Sequence, residues 1–205
     1  MPSPSSDPTP PPRRDGAATR QRLLRAAAEL YTTIGYRATT TPELAARAGV
    51  AEGTIYRHFT GKESLLNEVY RDAQRRGAEL VREVDTDLAL PPRERMLGIA
   101  QRLILEAKSD TARMRMLLQS REERLLDEQS REVAREFQQA LQQIVASGKS
   151  DGRVRSGPAD LWTAVWLALV AFAAERVSAG EWTPEHPQVA MTLDAAWDAI
   201  STMKA

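Results

Sequence analysis

From Ala17 onward the apolar residues fall three and four apart in nearly every segment, and no stretch alternates as a half-buried strand would. That periodicity allows an all-α fold and little else. The first helix is marked by Leu23, Leu24, Ala27, Leu30, Tyr31 and Ile34 on one side, with Gly35 placed to end it. A second begins at Thr40 or Thr41. Thr40-x-x-Glu43 has the form of a capping box and Pro42 suits a first turn, where no amide hydrogen is missed. A third is expected from about Glu52 to Phe59 and, after Thr60-Gly61, a long fourth from Lys62 to about Val84. Pro91-Pro92 precedes a fifth helix with Met96, Ile99, Ala100, Leu103 and Ile104. Beyond it come a Met-rich piece from Met114 to Leu118, a charged stretch from Arg121 to Arg124, and a helix from Glu128 to Ser147 ending before Gly148. An apolar helix opens at Ser156-Gly157-Pro158 and runs to about Val177, and Pro187 precedes a last amphipathic helix. No internal repeat is present.

Composition narrows the function classes. A chain of 205 residues with 42% hydrophobic content can bury a core, and its formal net charge of zero conceals a regional split. Between Arg13 and Lys62 stand nine basic residues and four acids, a net of +5, so the remainder carries −5. A basic N-terminal third beside an acidic remainder fits a nucleic-acid-facing part joined to a part that stays off nucleic acid. Cysteine is absent, which removes disulfides, thiolate nucleophiles and cysteine-bound metals and leaves a reducing cytoplasm, beside the nucleoid, as the expected location. The opening MPSPSSDPTPPP has no apolar stretch, and residues 1–16 are expected to be a disordered tail. Arg13 and Arg14 read most simply as a solvated basic end of that tail, with a minor-groove arm as the alternative. The longest apolar stretch, Leu161 to Ala174, falls short of a membrane span, so no membrane partner is expected.

The best-marked constellation is Thr41-Pro-Glu-Leu-Ala-Ala-Arg-Ala-Gly-Val-Ala-Glu-Gly-Thr-Ile55. Two short helices meet there at a tight turn. Ala45 is small enough for a close crossing, Gly49 can take a left-handed conformation, and Leu44, Val50 and Ile55 plug the angle between the helices. This is helix-turn-helix spacing. With its surroundings, from Gly35-Tyr-Arg-Ala-Thr-Thr through Tyr-Arg-His-Phe-Thr-Gly-Lys-Glu-Ser-Leu-Leu66, it resembles the DNA-binding domain of the tetracycline-repressor (TetR) family. The dense resemblance covers residues 17–66, with Pro42 and Gly61 standing where polar residues are more usual. Farther on, Gly148-x-x-x-Gly152-x-Val-Arg155 resembles the turn that many members carry before their last two helices.

The resemblance implies a DNA-binding domain over residues 17–62, joined by the long fourth helix to a ligand-binding and dimerisation domain over 63–205. Glu52, Gly53 and Thr54 open the third helix, where a recognition helix enters the major groove. Glu52 can accept from a cytosine amino group but repels phosphate, Gly53 allows close backbone approach, and Thr54 can meet a base edge. Tyr56, His58 and Lys62 carry donors for phosphate oxygens, and Thr40 and Thr41 aim a helix N-terminus at another phosphate. Leu161, Val165, Leu169 and Phe172 on the eighth helix, with Val189, Leu193, Trp197 and Ile200 on the last, are the expected seam of a homodimer. The resemblance also implies a small-molecule effector among helices four to eight, with Met114, Met116, Leu117, Trp162 and Trp166 as candidate walls, although Met and Trp at helical spacing equally form ordinary core.

The expected function is therefore a repressor released from a palindromic operator by a small, largely apolar ligand. An activator of the same fold and a helical adaptor that binds no DNA are the alternatives. An enzyme is not expected, and neither a cofactor nor a metal is implied. The two histidines, His58 and His186, are far apart in sequence, and Gly61-Lys62-Glu-Ser64 lacks the earlier glycine and the strand of a phosphate loop.

Overall fold

The computed structural model describes residues 14–119 and 123–202. The N-terminal unit comprises α1 (Arg14–Leu30), α2 (Thr41–Ala48) and α3 (Glu52–His58), followed by the long α4 (Lys62–Val84). Next come α5 (Pro92–Ser109), α6 (Thr111–Gln119), α7 (Glu128–Ser150), α8 (Ala159–Ser178) and α9 (Pro187–Ile200). Among the described residues the extended structure is one isolated antiparallel bridge between Val154 and Ser201. The all-α expectation holds, and the first helix starts at Arg14, inside the segment read as tail. Arg13 and part of the charged stretch after Ser120 lie outside the described residues.

The first helical run ends at Gly35, φ +92°, where the sequence places its end, but its last turn departs from the α-helical period. Tyr31–Gly35 form one π-helical turn, in which the Thr32 and Thr33 hydroxyls donate back to the carbonyls of Ala28 and Glu29, both at 2.7 Å. Those hydroxyls compete with backbone amides for the same acceptors, and the wider turn shifts the angular phase of its own residues and of those after it. Tyr31 stays buried, whereas Ile34, expected on the inner side, is 49% exposed.

Helix α4 spans both halves of the molecule. It packs on α1 at its start and on α5, α6 and α7 along its length. Its approach to α6 and α7 is tight at Gly77, where an added Cβ would lie 2.9 Å from Leu117 Cδ1 and 3.0 Å from Phe137 Cδ2. Helix α7 runs past its expected stop to Ser150. Gly148 is inside it, and a Cβ there would lie 2.7 Å from Val154 Cγ2, so this glycine permits close approach and does not end the helix. The left-handed turn comes at Gly152, with φ +68°.

Helix α8 is the central helix of the second half, packed by α5, α7 and α9, with Trp166, Val170, Ala173 and Val177 turned into the core. At 20 residues, with a mean hydropathy of 1.4 over its most apolar window, α8 is long and apolar enough to cross a bilayer, which the stretch Leu161 to Ala174 alone did not indicate.

Candidate nucleic-acid interface

The N-terminus of α2 is closed by the capping box the sequence announces. The Glu43 amide donates to Thr40 Oγ1 at 3.4 Å, and the Thr40 amide donates to Glu43 Oε2 at 2.7 Å. The Thr40 hydroxyl donates to the same carboxylate at 2.8 Å. The bond from the Thr40 backbone, followed by that from its hydroxyl, holds the Glu43 carboxyl below its ordinary pKa. A carboxylate therefore already occupies the helix end at which Thr40 was expected to meet a phosphate, and its hydroxyl proton is committed to it. Thr41, half-buried, is the first helical residue beside that cap.

The turn into α3 rests on Gly49, at φ +64° and ψ +43°. Its amide closes onto Ala46 at 3.1 Å, and that of Val50 onto Ala45 at 3.0 Å. A left-handed residue at this point lets the chain reverse within three residues and sends α3 off across α2. Ile55 and Phe59, one helical turn apart, are buried and hold α3 down. The guanidinium of Arg20 lies 5.4 Å above the Phe59 ring, and Arg47 pairs with Glu29, tying α2 to α1.

The opposite side of α3 is uncovered. Relative to Ile55, residues 53 and 57 project most nearly outward, because a residue two positions away on a helix is turned by about 200°. Gly53 is exposed, and a Cβ on it would meet nothing within 4 Å, so the packing of this domain does not require a glycine there. Tyr56 is 58% exposed. Glu52 and Arg57 are exposed, Thr54 and His58 half-buried. Arg57 is not among the residues expected from the sequence. The signal lies in its offset of two from the plug Ile55. Arg37 is likewise exposed, and neither arginine has an ion-pair partner among the described residues.

Lys62 has a more internal role than expected. Its ammonium donates to the Thr39 carbonyl at 2.6 Å and stands 4.3 Å above the Tyr36 ring. Tyr31 meets Tyr36 edge-on at 5.3 Å and donates its hydroxyl to the Lys62 carbonyl at 3.3 Å. Burial, then the neighbouring Tyr36, pushes the Tyr31 phenol well above its usual range. Lys62 thus clamps the linker that carries Thr39 and Thr40 to the start of α4, leaving part of its three-donor capacity outward.

The expected dimer seam divides. On α8, Leu161 and Phe172 are 48% and 46% exposed and Val165 and Leu169 half-buried, so this stripe faces outward. On α9, Val189, Leu193 and Ile200 are turned into the protomer's own core, and Trp197 is half-buried. The apolar residues read from the last helix as a seam thus serve, within the protomer, as core. Its strongest apolar stripe is used against α8 and α5, and its outer surface presents Met191, 68% exposed, with Ala190 and Ala195.

The expected pocket wall divides too. Met114, Met116, Leu117 and Trp166 are buried, and Leu117 fills the space at Gly77. Trp162 sits elsewhere, with its indole N–H donating to the Ser156 carbonyl at 3.2 Å and its ring against Gly157. Helix α6 meets α8 at the other end, where Arg115 pairs with Glu175 at 2.9 Å. At about 1.5 Å per residue, Trp162 lies roughly 20 Å along α8 from that contact.

Two family models match the chain, "Bacterial regulatory proteins, tetR family" over residues 23–69 and "Tetracyclin repressor-like, C-terminal domain" over residues 73–202. The chain belongs to the TetR family. As a TetR-family member it is a DNA-binding transcriptional regulator and not an enzyme. Among curated relatives, the repressor KstR2 of Rhodococcus jostii is 42% identical over 66 residues, 31% of this chain and 32% of that protein. The regulator YvkB of Bacillus subtilis is 37% identical over 70 residues, 34% of this chain and 37% of YvkB. These alignments span about a third of the relatives' length. The fatty acid metabolism regulator of B. subtilis is 26% identical over 137 residues, 66% of this chain and 71% of that protein. In fold, the chain superposes on a TetR-family regulator from Marinobacter aquaeolei with a TM-score of 0.79 at 18% identity, covering 94% of this chain and all of that one.

Proposed function

We propose that this TetR-family regulator is a repressor that binds a palindromic operator as a homodimer and leaves it when a small, largely apolar ligand binds the helical domain. The observation that carries the reading is the uncovered outer side of α3. Gly53, Tyr56 and Arg57 stand clear of the domain, on a helix whose inner side is pinned by Ile55 and Phe59. On this reading α3 lies in the major groove with Glu52, Gly53 and Thr54 toward base edges. Tyr56, Arg57 and His58 meet phosphates, joined by Thr41 at the start of α2 and the remaining donors of Lys62. Thr40 serves as the cap of α2.

Reading two half-sites requires two copies, and the outward α8 stripe of Leu161, Val165, Leu169 and Phe172, continued by Met191 on α9, is the surface proposed to join them. Repression is favoured by the likeness to KstR2, itself a repressor. An apolar effector is favoured by the apolar packing of α6 against α4 and α5, where Met114, Met116 and Leu117 can rearrange around an inserted molecule. One structural neighbour, SmeT, is solved in complex with triclosan, with a TM-score of 0.66 at 20% identity over 90% of this chain and 92% of SmeT.

The test is selection of bound sequences from a random DNA pool, followed by sedimentation of the protein and its complex. A palindromic motif bound by an even number of chains is expected, and Leu161→Glu is expected to leave monomers with weakened binding. No enrichment at low salt would return the adaptor reading, and a dimer that survives Leu161→Glu and Leu169→Glu together would place the interface elsewhere.

A further inference from the structure

Helix α4 carries a buried polar cluster that DNA contact and ligand binding leave unexplained. Asn67, Arg71 and Ser130 are 3%, 7% and 0% exposed. Asn67 donates to the Leu125 carbonyl at 2.9 Å, and its side-chain oxygen accepts from the Asp127 amide at 2.8 Å and from the Ser130 hydroxyl at 2.7 Å. Arg71 Nη1 donates to both oxygens of Asp127, at 2.9 and 3.1 Å, and to Ser130 Oγ at 3.0 Å. Its Nη2 donates to Glu68 Oε2 at 2.9 Å. The same oxygen of Glu68 takes Arg20, on α1, at 3.2 Å, and Oε1 takes Arg75 at 3.3 Å. Asp127 is also the N-cap of α7, accepting from the Ser130 amide at 2.7 Å.

The geometry points to a charge relay, Arg20–Glu68–Arg71–Asp127, through which the N-terminus of α7 sets how firmly α1, and with it the DNA-reading domain, is held to α4. The inference rests on the DNA-binding reading and adds to it the route by which the helical domain acts on that site. Arg71 divides its guanidinium between two carboxylates, and Glu68 divides its own between α4 and α1. The fifth donor of Arg71, Nε, has no acceptor among the described residues, so the side chain is held at its tip alone. With Asp127 neutral, three guanidiniums would face one carboxylate. Repulsion then rises and falls on the two arms that water can receive, Arg75 at 46% and Arg20 at 38% exposed, whereas Arg71, at 9%, is enclosed; of those two only Arg20 ties another helix to α4, so its weakening is what loosens α1. Any movement that withdraws Asp127 from Arg71 would loosen α1 in the same way.

Asp127→Asn keeps the helix cap, because Asn caps as well as Asp does, and removes the charge together with one of the two acceptor oxygens that Arg71 uses. It also makes the protein more positive by one, so simple attraction to phosphate would tighten DNA binding. The relay demands the opposite. Asp127→Asn and Arg20→Gln should each weaken binding to the selected operator by about threefold to tenfold. The double variant should be no weaker than the poorer single variant by more than about twofold, because both break one chain. Amide hydrogen exchange in α1, measured on the full chain without DNA, should quicken several-fold in both single variants. Unchanged or tighter operator binding by Asp127→Asn, or losses that multiply in the double variant, would overturn the relay. Unaltered α1 exchange in Asp127→Asn would overturn it without reference to DNA. If instead the parent chain selects no DNA while α1 exchange does respond, the DNA-binding reading fails and the relay stands as a link between the domains.

Discussion

Replacing Lys62 by Met keeps most of the apolar stem and removes the ammonium, which separates the two roles that residue could have. In the structure the ammonium supplies a hydrogen bond to the carbonyl of Thr39, a residue 1% exposed, and a cation over the Tyr36 ring. A hydrogen bond to a charged group contributes roughly 1.5–3 kcal/mol, and a cation–π contact at a wet site about 0.5–1 kcal/mol. Lys62 is only half-buried, which discounts both, and a cation at the N-terminus of α4 opposes the helix dipole by a few tenths of a kcal/mol. The net expected loss is about 1–2 kcal/mol, or roughly 3–6 °C in Tm for a chain of this size. Far-UV circular dichroism reads it. All four tryptophans lie between residues 162 and 197, so their fluorescence follows the helical domain and misses the unit that Lys62 clamps. A midpoint within about 1 °C of the parent would refute the clamp. The same variant tests the phosphate role at a temperature where it is folded. The slope of log affinity against log salt should fall by about 0.9. Weaker binding with an unchanged slope would mean that Lys62 acts on DNA through Thr39 alone.

Three further outcomes are expected. Gly49→Ala should cost about 1 kcal/mol in urea unfolding, a purely conformational penalty, because the new Cβ would make only ordinary contact with Arg22 at 3.7 Å; no loss would mean the turn relaxes. Stability should fall with acid. Burial alone would raise the carboxyls of Glu68, Asp127 and Glu175, but bonds from Arg71 and Arg20, from Ser130 and Arg71, and from Arg115 and Gln119 respectively outweigh it and hold all three low. Their contribution is therefore complete above about pH 5 and lost as pH falls through the depressed values, so Tm should drop steeply below about pH 4, and less so in Asp127→Asn; equal profiles would remove Asp127 from the account. On DNA, Arg57→Ala should reduce the salt slope by about 0.9 and leave the selected motif intact, while Thr54→Ala should change the motif; the reverse pattern would exchange their roles.

Much of this protein is legible in its sequence because local rules govern it. The capping box at Thr40 and Glu43, the left-handed turn at Gly49 and the plugs Leu44 and Ile55 depend on residues within a few positions of one another, so spacing alone announces them. The ends of α4 at Lys62 and Val84 are legible for the same reason. Where a residue can serve two surfaces, spacing cannot choose. Val189, Leu193 and Ile200 form a stripe fit either for a second copy or for the protomer's own α8 and α5, and only the tertiary arrangement shows the second use. Trp162 and Met116 both read as pocket wall until the opposite ends of α8 separate them. The phase of Ile34 is lost because two threonine hydroxyls take backbone acceptors, a competition that hydrophobic periodicity does not register. The relay from Arg20 to Asp127 is least legible of all. Its members lie up to 107 positions apart among many other charges, and what distinguishes them is the enclosure of Arg71 at the centre and the direction of its bonds. The cap of α2, the turn at Gly49 and the inner side of α3 come from short-range chemistry written in the sequence, whereas the pairing of distant charges and the assignment of apolar stripes depend on how the nine described helices close on one another, because desolvation decides which pairs and stripes count.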